Sequence, residues 1–183
     1  KIIHSLRAHG WDRGLDNKKN NSFNFINSGF NVRPLDLTAA IGLSQFKRLK
    51  KIINIRTYNR KKIIQSIQKS PEWKNQLNFL QPTKNLKASW FGLPILINKK
   101  FLKNKKKYLN YLSKKGIENR PILSGNFLNQ PCIKLYGLSR KKNEFKKAEE
   151  IDKRGFFIGL HNEKISPKEV KLLTKNLLKV DVI

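Results

Sequence analysis

Two short stretches near the start of this 183-residue chain carry side chains suited to gripping an anion. One is Ser28-Gly29-Phe30-Asn31-Val32-Arg33-Pro34-Leu35-Asp36, a Gly-bearing loop running into a helical pattern. A helix start leaves backbone N–H groups unpaired and is the positive end of the helix dipole, which suits a phosphate. Asn31 adds a side-chain amide donor, and Gly29 lets the backbone approach closely. The same Asn could simply support a turn before the helix. Arg33 has the fork geometry for a phosphate or carboxylate, and it is equally placed to pair with Asp36. The other stretch is Leu6-Arg7-Ala8-His9-Gly10-Trp11-Asp12-Arg13, with Arg7 for a diphosphate, His9 for a hydroxyl or a proton, and Trp11 for stacking. A His in such a loop can also cap a backbone group. Further along, Arg120 and Asn126, on either side of Gly125, predict a polar strand-end cluster for a sugar or diphosphate; the alternative is an edge-strand Arg facing solvent. His161, after Gly159, either contacts substrate or finishes a strand.

These groups need a frame. Leu37, Ile41, Leu43, Phe46, Leu49, Ile52, Ile53, Ile63, Ile64 and Ile67 recur mainly at steps of three and four, so the pattern predicts helix from about Leu35 to Ser70. A helix that long either bridges two domains or breaks in the middle. Ile2 to Leu6 reads as the tail of a strand or helix, residues 9 to 34 as loop, and Asn17 to Asn24 as mobile. Trp90 to Ile97 reads as a buried strand, with Pro94 predicting a sheet edge or bulge. Lys100 to Lys115 is predicted helical and stopped by Gly116. Ile117 to Leu123 follows as a short strand. Glu144 to Arg154 reads as helix, closing at Gly155, and an apolar run follows from Phe156 to Leu160. Ser166-Pro167-Lys168-Glu169 then caps a last helix reaching about Lys179. The order predicts a small α/β layer with helices on a short sheet.

Lys and Arg number 40 against 12 Asp and Glu, a net charge of +28. Charge alone would indicate a non-enzymatic nucleic-acid- or polyanion-binding protein, which stands as the alternative reading. Distribution argues otherwise: lysines such as Lys103, Lys105, Lys106, Lys107, Lys114 and Lys115 sit on the wet face of a helical pattern, with no basic block interleaved with aromatics. Abundant Lys, Asn and Ile together fit an AT-rich coding bias. The single cysteine, Cys132, excludes a disulfide framework or a Cys-based zinc or iron–sulfur site within the chain, and no metal is expected. No apolar run approaches the roughly 20 residues that span a bilayer, and no signal peptide is visible, so the expected location is cytoplasmic. The chain has no Met and opens on Lys1, which reads as the C-terminal piece of a longer protein.

Five motifs in register resemble the DegT/DnrJ/EryC1/StrS family of sugar aminotransferases and their dehydratase relatives. They are Arg7-Ala8-His9-Gly10; Gly29 to Pro34 running into Ala39 to Leu49; Ser89-Trp90-Phe91-Gly92; Gly116-Ile117-Glu118-Asn119-Arg120-Pro121-Ile122; and Gly155 to His161. The Arg120 to Phe127 segment leans toward lipopolysaccharide keto-deoxysugar dehydratases. The resemblance implies an α/β fold: the C-terminal part of a pyridoxal-phosphate-dependent transferase of aspartate aminotransferase type, with a long bridging helix and a small α/β domain. Residues 1–50 would end the large cofactor-binding domain and carry the site loops, and residues 51–183 would form the small domain. It implies pyridoxal 5'-phosphate or pyridoxamine 5'-phosphate as cofactor, a homodimer with shared active sites, and a nucleotide-linked keto-deoxysugar as substrate. Glutamate would be the nitrogen donor if the chemistry is transamination. Asn31 would reach the cofactor phosphate of the neighbouring subunit. Arg7, His9, Arg33, Arg120, Asn126 and His161 are the substrate-binding candidates. The Lys that carries the cofactor, or the His replacing it in dehydratases, would lie upstream of Lys1, so the segment alone should not catalyse. The interval from Trp11 to Ser28 holds no cysteine, so an iron–sulfur cluster is not expected.

Overall fold

A computed structural model of the chain describes residues 1–12, 15, 24–138 and 144–182. The segment expected to be mobile, Asn17 to Asn24, lies outside them except for Asn24. The chain divides into two compact units, Lys1–Leu49 and Lys50–Ile183.

The first unit contains helices α1 (Ile2–Leu6) and α2 (Asp36–Phe46), joined by loop. Helix α2 buries none of its residues, and Leu37, Ile41, Leu43 and Phe46 all stand exposed. Its apolar side chains are spread around the whole cylinder, the pattern of a helix surrounded by other structure. The helix expected from 35 to 70 breaks after Phe46. The Arg48 amide donates three residues back, to the Gln45 carbonyl at 3.0 Å, and its guanidinium donates to Gln45 Oε1 at 2.5 Å. That tightened turn ends the i-to-i−4 ladder.

The second unit has helix α3 (Leu49–Gln68, all but its first residue) and strands β1 (Leu77–Phe79) and β2 (Gly92–Ile97). Helix α4 (Lys105–Lys114), strand β3 (Asn119–Arg120) and helix α5 (Pro131–Leu135) come next. Helix α6 (Lys146–Arg154), strand β4 (Gly155–Gly159) and helix α7 (Pro167–Leu177) complete it. The strands form one antiparallel sheet in the order β1-β2-β4-β3. Period-two alternation decides which face is covered. Leu93, Ile95 and Ile97 of β2 and Phe156 and Ile158 of β4 are buried, while Pro94, Leu96 and Phe157 between them are half-buried. The buried set packs with Ile63 and Ile67 of α3, Tyr108 and Leu112 of α4, and Leu177 of α7.

Two sequence expectations need correction. Pro94 lies in an interior strand, yet β1 stops with Phe79 opposite Ile95, so on that flank the sheet is already at its edge when it reaches Pro94. The strand expected from Ile117 to Leu123 pairs only at Asn119 and Arg120, because Pro121 follows directly and the chain then turns through left-handed Leu123 and Gly125. Strand β1 and helix α5 were not expected; each is too short to show a period.

One contact closes the core. The Tyr108 ring meets Phe156 edge-on at 5.9 Å, and its hydroxyl donates to the Leu177 carbonyl at 2.8 Å in the last turn of α7. Burial raises the Tyr108 hydroxyl well above its ordinary pKa, so it stays a donor. Replacing Tyr108 with Phe leaves that carbonyl without its partner inside the core. The expected loss is about 1–3 kcal/mol of unfolding free energy in urea denaturation.

Candidate functional site

In the first unit the two sequence stretches form one piece of structure. Ala8 and Asn31 face each other in an antiparallel bridge. Around it the His9 amide donates to the Phe30 carbonyl at 3.0 Å, the Val32 amide to the Arg7 carbonyl at 3.0 Å, and the Phe30 amide to the Leu6 carbonyl at 2.6 Å. A second bridge pairs Trp11 with Phe25, whose rings stack at 6.1 Å. Arg33 lies over the Trp11 ring at 5.5 Å. Among the described residues it forms no ion pair with Asp36. Arg7, His9, Asn31 and Arg33 are thus held on one short pairing, all exposed.

Two glycines permit it. A Cβ on Gly10 would collide with the Asn27 carbonyl, and one on Gly29 with the Gly10 amide and the Leu6 carbonyl. Gly10 is also left-handed (φ +87), directly after His9 at φ +64. A left-handed His costs about 1–2 kcal/mol, offset here by its amide's bond to Phe30. Helix α2 then starts from Leu35 with no side-chain cap, so its first N–H groups are not bonded by a capping side chain.

In the second unit, Arg120 and His161 line one open cavity of about 960 Å³ at the Gly92, Gly159 and Asn119 ends of the strands. Arg56, Phe91 and Phe157 line it as well. Arg120 donates to Glu118 Oε1 through Nε (3.0 Å) and Nη2 (2.7 Å). The Arg56 Nε is buried with no hydrogen-bond partner among the described residues. Phe91 is 70% exposed and lies against Phe157 at 5.9 Å. Arg56 and Phe91 were missed in the sequence, Arg56 because it reads as one more basic residue on a helix and Phe91 because it belongs to an apolar run. The loop bearing His161 is fixed from below by buried Asn59. Its Nδ2 donates to the carbonyls of Glu163 (2.7 Å) and His161 (3.3 Å), and its Oδ1 accepts from the Ile165 amide (3.0 Å).

The expected Arg120–Asn126 cluster does not form. After Arg120 the chain turns, and Asn126 ends 4% exposed against α6. Its Nδ2 donates to Glu149 Oε2 at 3.0 Å and its Oδ1 accepts from the Leu128 amide at 3.2 Å. Asn126 thereby organises the loop, together with Asn129, which donates to Asp152 at 2.8 Å.

The DegT/DnrJ/EryC1/StrS aminotransferase family model matches residues 1–177. The chain belongs to that family. It is 34% identical over 171 residues to GDP-4-keto-6-deoxy-D-mannose 3-dehydratase of Escherichia coli O55:H7, covering 87% of this chain and 42% of the relative. It is 26% identical over 149 residues to lipopolysaccharide biosynthesis protein RfbH of Salmonella typhimurium, covering 81% of this chain and 32% of that one. A solved E. coli GDP-4-keto-6-deoxy-D-mannose-3-dehydratase with bound hydrated PLP superposes at a TM-score of 0.82 and 33% identity, over 96% of this chain and 46% of that one. The chain spans less than half the length of these relatives.

Two outcomes follow from this geometry. Gly29→Ala is expected to unzip the loop pairing, raising hydrogen exchange at the His9 and Val32 amides while the Ile95 and Phe156 amides of the second unit stay protected. The Glu149 carboxyl is held down at about 2, chiefly by the hydrogen bond from Asn126, then by Lys153 and Asn129. A carboxyl depressed in the folded state contributes stability above its unfolded pKa of 4.5, and that contribution is lost as pH falls toward 2. In Asn126→Ala the Glu149 carbon-13 titration should move up toward 4.5.

Proposed function

We propose that this chain is the C-terminal segment of a pyridoxal-phosphate-dependent enzyme acting on a nucleotide-linked keto-deoxysugar, a 3-dehydratase or aminotransferase of deoxysugar and lipopolysaccharide O-antigen biosynthesis. The dehydratase branch is favoured by the names of the relatives that match at 34% and 33% identity. The observation that carries the reading is the pairing that joins the segment of Arg7 and His9 to that of Asn31 and Arg33, with all four exposed.

The residues present fit the cofactor's phosphate. The Asn31 amide, exposed and without a hydrogen bond from its side chain to any described residue, would donate to that phosphate on a neighbouring protomer, and the uncapped start of α2 lies a few residues on. The cofactor, held as the aldehyde or amine form, supplies an electron sink for bond breaking next to the sugar's carbonyl-derived carbon. Arg7 and Arg33 would bind the diphosphate of the sugar nucleotide, and His9 would orient a hydroxyl or move a proton. Arg120 and His161 would meet the substrate at the second unit's cavity, with Asn126 acting by positioning its loop. The residue that carries the cofactor, or the His that replaces it, would lie upstream; a Lys there means transamination with glutamate, a His dehydration. Exposed Leu37, Ile41, Leu43 and Phe46 support a homodimer or a larger domain covering α2.

In the full-length protein, Asn31→Ala is expected to weaken pyridoxal 5'-phosphate binding about tenfold or more, a lost hydrogen bond to a charged group, read from absorbance during titration. Unchanged affinity in that variant, or a holoenzyme that sediments as a monomer, would refute a phosphate shared across a dimer.

A further inference from the structure

A separate groove runs between α3 and α7. It holds about 580 Å³ and is lined by Tyr58, Lys62, Ser66 and Ser70 from α3 and its end, and by Lys171, Thr174 and Lys175 from α7, over Ile165 and Val170. Among the described residues Glu72 is the only carboxylate lining it, and its Oε2 already accepts from Lys179 at 3.2 Å. Among the described residues, Lys62, Lys171 and Lys175 have no acidic partner. Lys171 and Lys175 are also one turn apart on one helix, where like charges repel. Tyr58 has two ammonium groups at its ring, Lys62 at 5.5 Å and Lys164 at 5.6 Å. At the bottom, the Thr174 hydroxyl donates to Ser66 Oγ at 2.8 Å, which leaves the Ser66 proton to be given to another acceptor.

Uncompensated lysines lining one groove from two helices, beside the hydroxyls of Ser66 and Thr174, differ from lysines scattered over a convex surface. Each lacks a counter-charge, and the groove's volume is that of a small-ligand site. We propose that this groove is an anion site of its own, taking a small oligophosphate: pyrophosphate, or the phosphate chain of a nucleotide. Three ammonium groups on two helices suit an anion with more than one phosphoryl group, which carries charge for both walls. Tyr58, Ile165 and Val170 give the floor an apolar part against which a nucleoside can rest.

The test is calorimetric titration of this chain at about 150 mM salt, where diffuse surface attraction is screened. Inorganic pyrophosphate is titrated first and a nucleoside triphosphate second. Three proteins are compared: the chain itself, the triple variant Lys62→Gln, Lys171→Gln, Lys175→Gln, and a control carrying Lys106→Gln, Lys107→Gln and Lys114→Gln on α4. All six side chains are exposed, and circular dichroism checks that both variants fold. One-site binding is expected, weakened about tenfold or more by the groove changes and less than about twofold by the control. Tighter binding of the triphosphate than of pyrophosphate assigns the site to a nucleotide, and equal binding assigns it to the free anion. No binding by the unaltered chain, or equal loss in both variants, overturns the proposal. None of these residues belongs to the Asn31 pairing, so either reading can fail without the other.

Discussion

Backbone against backbone, with no room for a side chain between, is the arrangement that the candidate site depends on. Gly29 sits on the Gly10 amide and the Leu6 carbonyl, and Gly10 sits on the Asn27 carbonyl. Only this closeness lets the Arg7–His9 segment pair with Phe30–Val32. Every candidate in the first unit inherits its place from that pairing: Asn31 through its bridge to Ala8, and Arg33 through the indole of Trp11. The short segment has little buried apolar area of its own, Ala8 being its one fully buried apolar side chain. Hydrogen bonds and the steric fit of two glycines therefore fix the geometry where a hydrophobic core does not.

The second unit solves the same problem with a buried amide. Asn59, on α3, satisfies three backbone groups of the 161–165 loop and so ties it to a helix. A buried Asn is costly unless its donors and acceptor are used, and here both ends are. Arg60, one residue on, works in the other direction. Its guanidinium lies over Trp90 at 4.1 Å and donates to the Leu80 carbonyl at 2.5 Å, fixing the segment that enters β2. Burial lowers the Arg60 pKa from its ordinary value, because the charged guanidinium is partly taken out of water. Two neighbouring polar residues on one helix thus hold two of the segments that border the cavity.

Helices with a strong period, such as α3, α4 and α7, were legible in the sequence, as was the Ser166 and Glu169 capping box, in which each side chain bonds the other's backbone amide. The strands were legible where apolar runs are long, at β2 and β4, and not where pairing is decided at a distance. Leu77 joins a sheet because Ile97 is opposite it, which no local pattern encodes. The same limit governed the site. Arg7, His9 and Asn31 were recognisable as residue types, but that they share one pairing depends on a contact between glycines 19 positions apart. Asn126 illustrates the converse. Its neighbours Gly125 and Arg120 suggested a ligand, while the partner it found, Glu149, lies 23 residues away.

The bond between Tyr108 and the Leu177 carbonyl has a bearing on synthesis. Strand β4 and the last turn of α7 supply Phe156 and Leu177, two of the largest side chains under the sheet. A ribosome has therefore to deliver almost the whole chain before β2 can gain its long-range partner and before Tyr108 can lose contact with water. Until then β2 is paired on the β1 side only, and its other edge is left open, the kind of edge that sticks to its copies. The stretch of translation between β2 and β4 is thus the interval in which that edge lies open.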